Sequence, residues 1–180
     1  MELWDLYDFN RQLTGNTMRR GDVVPEGYYR LVVHICIFNS KGEMLIQKRQ
    51  PFKSGWSGMW DVSVGGSAVA GDTSARAAER ELFEELGLKH SFEGVRPTFT
   101  YNFDKGFDDV YVFTEDVDLS TLKLQYEEVE AVKWADADDI KRMIDADEFI
   151  PYDKSYIDFL FYRRNNVEMT VRGDTTSPKL

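Results

Sequence analysis

A single cysteine, Cys36, stands in 180 residues, so no internal disulfide can form. It lies in an apolar stretch, and a reduced, cytoplasmic setting is the expectation. Long hydrophobic runs are missing too. A membrane span needs roughly 18–20 apolar residues, and the longest run, Leu31 to Phe38, is broken by His34. The opening Met1-Glu2-Leu3-Trp4-Asp5 has neither the basic stretch nor the apolar run of a secretory signal. Positive charge is scarce. Lys and Arg number 22 against 32 Asp and Glu, a net charge of −10 with His neutral. That balance argues against a nucleic-acid polymer as partner, because backbone phosphates demand clustered cations. What is present is material for a core. The chain is 42% hydrophobic and 14% aromatic, far from the composition of a disordered acidic tail, and its length suits one domain. An acidic protein can still act on an anionic substrate, provided that something cationic mediates.

No internal repeat or low-complexity linker divides the chain. Residues 1–27 mix Trp4, Leu6, Tyr7 and Phe9 with charges and read as an extension packed on the main body. Residues 28–170 carry the domain, and residues 171–180, with Gly173, Ser177 and Pro178, read as a fraying polar tail. Leu31–Phe38, the turn Asn39-Ser40-Lys41-Gly42 and Met44–Arg49 predict a hairpin. Trp60 to Val64 predicts a third short strand ending at Gly65-Gly66. Ser74 to Leu86 predicts a helix, with Ala75, Ala78, Leu82 and Leu86 on one face and Gly87 as a left-handed stop. Strands are expected at Phe99–Phe103, Val110–Phe113 and Val129–Trp134, and helices at Asp138–Ile144 and Tyr156–Arg163. Strands, one central helix, more strands and then helices make a mixed α/β (α+β) sandwich rather than alternating βαβ units.

The central helix carries too many carboxylates for a plain surface. At about 100° per residue, with Ala75 at zero, Glu84 falls near 180°, Glu81 near 240° and Glu85 near 280°. Glu81 opposes Glu84 at i,i+3 and Glu85 at i,i+4, each pair costing about 0.2–0.5 kcal/mol in an exposed helix. Only Arg80 offers local relief. A solvated charged face is the plain reading of a charge run, but a divalent cation would relieve this one, and carboxylate oxygens suit Mg²⁺ or Mn²⁺. The glycines at 65 and 66 allow backbone carbonyls to come close to a ligand.

From Gly66 through Asp72 to Arg80-Glu81-Leu82-Phe83-Glu84-Glu85-Leu86-Gly87-Leu88 the chain resembles the Nudix box, G-x5-E-x7-R-E-U-x-E-E-x-G-U with U apolar. Every fixed position matches except one, where Asp72 stands for the family's Glu. The resemblance implies the Nudix fold, a mixed sheet sandwiched between helices, and metal-assisted hydrolysis of a small-molecule diphosphate such as a nucleoside diphosphate derivative. It implies that Glu81, Glu84, Glu85 and the Gly66 carbonyl hold Mg²⁺ or Mn²⁺. Glu81 also orients or deprotonates the attacking water, and Arg80 ties loop to helix through residue 72. Asp72 is one methylene short, so a looser or water-mediated pairing with Arg80 is expected. Many members of the family are dimers, which leaves a homodimer open.

Outside the box, Glu128 is the first candidate for an extra ligand or catalytic base, with Glu127 and Glu130 as alternatives. Lys48 and Arg49, at the end of a strand, are candidates for phosphate contact, or else edge charges that discourage aggregation. Trp56 is a candidate for stacking on a ring of the substrate, and Trp60 reads as core. His34 reads as a satisfied buried histidine and His90 as a surface one. The N-terminal half also looks like isopentenyl-diphosphate isomerases. Those enzymes use a cysteine and a histidine just after the strand that carries Trp60, but here Val64 takes the cysteine position and Ser67 the histidine position, and Cys36 lies in another strand. A non-catalytic sensor of nucleotides or sugar phosphates is the remaining alternative, disfavoured by the intact Glu81, Glu84 and Glu85.

Overall fold

The computed structural model describes residues 2–165. In chain order it contains β1 (Leu3–Tyr7), β2 (Leu13–Arg19), β3 (Arg30–Phe38), β4 (Met44–Arg49), β5 (Trp60–Asp61) and β6 (Val64–Ser67). Then come α1 (Ser74–Leu86), β7 (Phe99–Phe103), β8 (Gly106–Thr114), β9 (Val129–Ala135), α2 (Ala137–Asp145) and α3 (Lys154–Arg163).

The centre of the sheet is β3. It runs parallel to β8 along its whole length, from Arg30 opposite Gly106 to Phe38 opposite Thr114. β7 extends the sheet antiparallel to β8. Successive side chains of a strand point to opposite faces. Leu31, Val33, Ile35 and Ile37 accordingly pack with Ala78, Leu82 and Leu86 of α1. Cys36 and Phe38 pack on the other face with Ile140 of α2 and Leu160 and Phe161 of α3. A strand covered on both faces reads as a near-continuous apolar run, which explains the character of this one on either side of His34. The sandwich of a mixed sheet between helices is the architecture the sequence implied.

Two strand expectations need correction. The hairpin of β3 and β4 is paired only at Phe38 and Met44. Beyond the turn the strands splay, β3 joining β6 and β4 joining β5 and β9. The single strand expected from Trp60 to Val64 is in fact two short ones, β5 on β4 and β6 on β3, and β6 continues through both glycines to Ser67. Ser63 fills the fork. Its buried hydroxyl accepts from the Ile37 N–H at 2.9 Å and donates to the Leu45 carbonyl at 2.5 Å, replacing ladder bonds that the splay breaks.

The first residues form a hairpin, β1 with β2, whose Trp4, Leu6 and Met18 make a small cluster of their own with Val24 and Tyr28. Residues 171–180, read above as a tail, lie outside the described residues. No helix among the described residues is long and apolar enough to cross a membrane.

Candidate active site

The acidic helix is positioned at both ends. The Thr73 hydroxyl accepts from the Arg76 N–H at its start. At its end Gly87 takes φ 70° and returns its N–H to Phe83 at 2.9 Å, a conformation glycine adopts without a Cβ penalty. Burying Leu82 and Leu86 against β3, each worth about 1.5–3 kcal/mol, fixes the rotation of the helix. That rotation turns Glu81 toward β6. A Cβ on Gly66 would fall 2.1 Å from the Glu81 carboxyl carbon, so glycine at 66 is what admits the carboxylate against the strand.

Arg80 is the hub. Its Nε donates to Asp72 at 3.1 Å, Nη1 to Glu81 at 2.9 Å and to Glu84 at 3.1 Å, and Nη2 to the Ser67 carbonyl at 3.0 Å. The expected loose pairing with Asp72 is thus corrected, since the shorter side chain reaches Arg80 directly. Partial burial works against the charge of Arg80, but Glu81 and Asp72 outweigh it and hold the guanidinium firmly protonated. Burial raises the Glu81 carboxyl, opposed by Arg80.

Glu85 is only 4% exposed, deeper than a residue beside the apolar stripe need be. Burial, reinforced by the charge of Glu81, pushes its carboxyl up to about 8, against a 2.9 Å hydrogen bond donated by Gln47 Nε2. Gln47, reaching across from β4, was not legible in the sequence, because nothing in its spacing from the box marks it. Its Oε1 is buried without a hydrogen-bond partner beside this acid. Two kinds of oxygen acceptor therefore crowd a spot with little to donate to them, a donor set that suits a hard cation. Among the described residues, however, no three acidic or histidine side chains are gathered into a ready-made metal cluster. Glu84 swings out to Arg80 and is exposed, and Glu85 turns inward to Gln47.

Of the three acids outside the box, Glu128 is the one that faces this region. Its charge reaches Glu85, and Lys53 Nζ bonds it at 2.6 Å. Glu127 is exposed, and Glu130 pairs with Lys48 at 3.0 Å on the surface. Arg49 donates Nε to the Gly55 carbonyl at 3.1 Å and lies 4.0 Å from Asp61, which also accepts from the Tyr152 hydroxyl at 3.0 Å. Trp56 is exposed at a positive φ of 50° in the same loop. Trp60 is partly buried against the core, with Lys133 Nζ 4.4 Å above its ring. His34 bonds Asp108 at 2.8 Å, and His90 stacks on Phe113 at 4.0 Å.

A sequence model of the NUDIX domain matches residues 28–159. The chain belongs to the Nudix hydrolase family. An uncharacterised Nudix hydrolase of Listeria monocytogenes is 47% identical over 165 residues, covering 92% of this chain and 96% of that one. An isopentenyl-diphosphate Delta-isomerase of Shigella flexneri is 31% identical over 118 residues, 61% of this chain and 63% of its own. Among solved structures, a protein of Deinococcus radiodurans superposes with a TM-score of 0.72 at 25% identity, covering 88% of this chain and 99% of that one. The helix with Arg80, Glu81, Glu84 and Glu85 is therefore the Nudix helix, and the isomerases are more distant relatives on the same fold.

Proposed function

We propose that this Nudix protein hydrolyses a diphosphate linkage in a nucleoside diphosphate derivative or a related small-molecule diphosphate, with Mg²⁺ or Mn²⁺ as its cofactor. The observation that carries this reading is the seating of Glu81 against Gly66, where Arg80 holds it, beside the buried Glu85. Glu81, Glu84, Glu85 and the Gly66 carbonyl would hold the cation. When bound, it supplies charge neutralisation for the diphosphate and a more acidic water. Arg80 keeps the loop and helix in register through Asp72 and the Ser67 carbonyl. Glu128, half-buried and facing Glu85, is the candidate base that takes a proton from water. Lys53 keeps its carboxylate turned into place. Lys48, Arg49 and Trp56 remain candidates for substrate contact, and Arg49, at the end of β4, is bonded to the loop that carries Trp56 and that, through Lys53, touches that base.

Isomerase chemistry lacks its groups here. Cys36 is buried on the α2/α3 face, and burial pushes its thiol far up, away from any role in proton transfer. A sensor that binds without turnover differs from a hydrolase only in outcome. The test is a panel of diphosphates with Mg²⁺ or Mn²⁺, read by phosphate release after a coupling phosphatase and including isopentenyl diphosphate. At least one nucleoside diphosphate derivative should be cleaved, and isopentenyl diphosphate should not be isomerised. Glu84→Gln should lower metal-dependent turnover by at least about tenfold while the far-ultraviolet spectrum is unchanged. Full activity of that variant at saturating Mg²⁺ removes Glu84 from the site.

A further inference from the structure

Two successive glycines of β6 each seat an ionisable side chain, and they do so on opposite faces. The Glu81 carboxylate lies where a Cβ of Gly66 would be. His34 does the same at Gly65, where a Cβ would fall 2.7 Å from its Nε2. His34 stands opposite Gly65 in the antiparallel pairing of β3 with β6, and a cross-strand pair shares one face. That face is the one covered by α2 and α3, because His34 alternates with Cys36 and Phe38. One residue step, about 3.8 Å, thus separates the strand position under the Nudix acid from the one under the imidazole. β6 pairs with β3, and its other edge carries no strand among the described residues.

His34 belongs to a polar row that crosses the sheet. Its Nδ1 bonds Asp108 of β8 at 2.8 Å, and Asp108 stands opposite Tyr101 of β7. Rings from α3 and the segment before it flank the row. Tyr156 lies 6.3 Å from Tyr101 and 5.4 Å from Tyr152, whose hydroxyl is pinned to Asp61 at 3.0 Å. The row is open to solvent, with the His34 side chain 19% exposed and Tyr101 58%. Its polar groups are also incompletely matched. Among the described residues, His34 bonds Asp108 through Nδ1 and has no partner at Nε2, and Asp108 Oδ1 is buried without one. An imidazole held by a carboxylate through Nδ1 offers an N–H at Nε2. A ligand with a hydrogen-bonding edge and a planar face suits this lining, the edge meeting His34 and the face meeting tyrosine rings. An isoprenoid chain would desolvate His34 and Asp108 without a hydrogen bond in return.

We propose that His34 and Tyr156 hold the base of a nucleoside on the α3 side of β6, while its diphosphate lies against Glu81 on the other side, the ligand passing round the strandless edge of β6. This rests on the diphosphate reading above and narrows it to nucleoside compounds. The probes are methylenediphosphonate, which carries no base, and the α,β-methylene analogues of the common ribonucleoside diphosphates, each titrated with Mg²⁺ by calorimetry. In the wild type at least one nucleoside analogue should bind about tenfold or more tighter than methylenediphosphonate. His34→Asn keeps an amide for Asp108 and removes Nε2. It should erase most of that gain and leave the methylenediphosphonate Kd unchanged. His34→Gln, which puts an amide nearer the place of Nε2, should recover part of the gain. Should His34→Asn not fold, Tyr156→Leu takes its place with the same two expectations. A full nucleoside gain in the variant, or an equal weakening of both kinds of probe, overturns the proposal. A wild type that cleaves some diphosphate but binds no nucleoside analogue better than methylenediphosphonate also overturns it and leaves the hydrolase reading standing. A nucleoside gain that depends on His34, with no diphosphate cleaved, supports the proposal and defeats the hydrolase reading.

Discussion

The side chains that matter most here are placed against their ordinary preferences. Glu85 is a carboxylate in the core side of a helix, and His34 is an imidazole in the middle of a buried strand. His34 answers to its neighbours. Burial pulls its pKa down, but the charge and hydrogen bond of Asp108 outweigh burial, and Asp61 and Glu85 add to the attraction, lifting it from 6.5 to about 9. A folded pKa above the unfolded one means that the stabilisation is full below about pH 6.5 and is lost as the pH rises through about 9. Asp108→Asn should therefore lower the melting temperature at pH 6. The gap to wild type should close between pH 7 and 10, as followed by thermal unfolding across that range. A gap independent of pH would mean that the pair acts only through packing. The sequence places His34 as a satisfied buried histidine, and its role as a charged partner needs β8, because Asp108 is 74 positions away.

The Nudix helix was readable from one end to the other as an element. Its span and its stop at Gly87 match the structure, and the buried stripe keeps Ala78, Leu82 and Leu86 but takes in Ala77 and Glu85 and leaves Ala75 only partly buried. Such features are local, set by a period of 3.6 residues and a cap within one turn. The same locality makes its end testable. Gly87 sits at φ 70°, and an added Cβ would lie 2.9 Å from Lys123 Cβ. Gly87→Ala should cost about 1 kcal/mol or more from the positive φ alone, measured by urea unfolding, with the slope unchanged. A neutral result would mean that the helix end relaxes into another cap. The strands were less readable. The splay of β3 from β4 and the division of the Trp60 strand in two have no local signature, because alternation and turn residues report a strand's existence and not its partner. At this fork Ser63 and the splay of β3 from β4 decide pairing.

At the scale of the whole molecule, the net charge of −10 and the metal reading belong together. A cation bound only by the folded protein stabilises it by RT ln(1 + [M]/Kd), where [M] is the free cation. At 100 times its Kd, Mg²⁺ or Mn²⁺ should raise the melting temperature by roughly 5–10 °C, and Glu81→Gln should diminish that rise. No shift at millimolar concentrations of either ion would count against the carboxylate site. By itself the sequence determined the class of fold and the box, with Gly66, Arg80, Glu81, Glu84 and Glu85 in their places, because these depend on spacing along one strand end and one helix. Only the tertiary structure decided the rest. It brought Gln47 to Glu85, singled out Glu128 from its neighbours, let Asp72 reach Arg80 and laid the N-terminal hairpin against the glycine loop. Those arrangements join segments far apart in the chain, and their geometry follows from how the sheet splays and which faces the core buries, which no local pattern encodes.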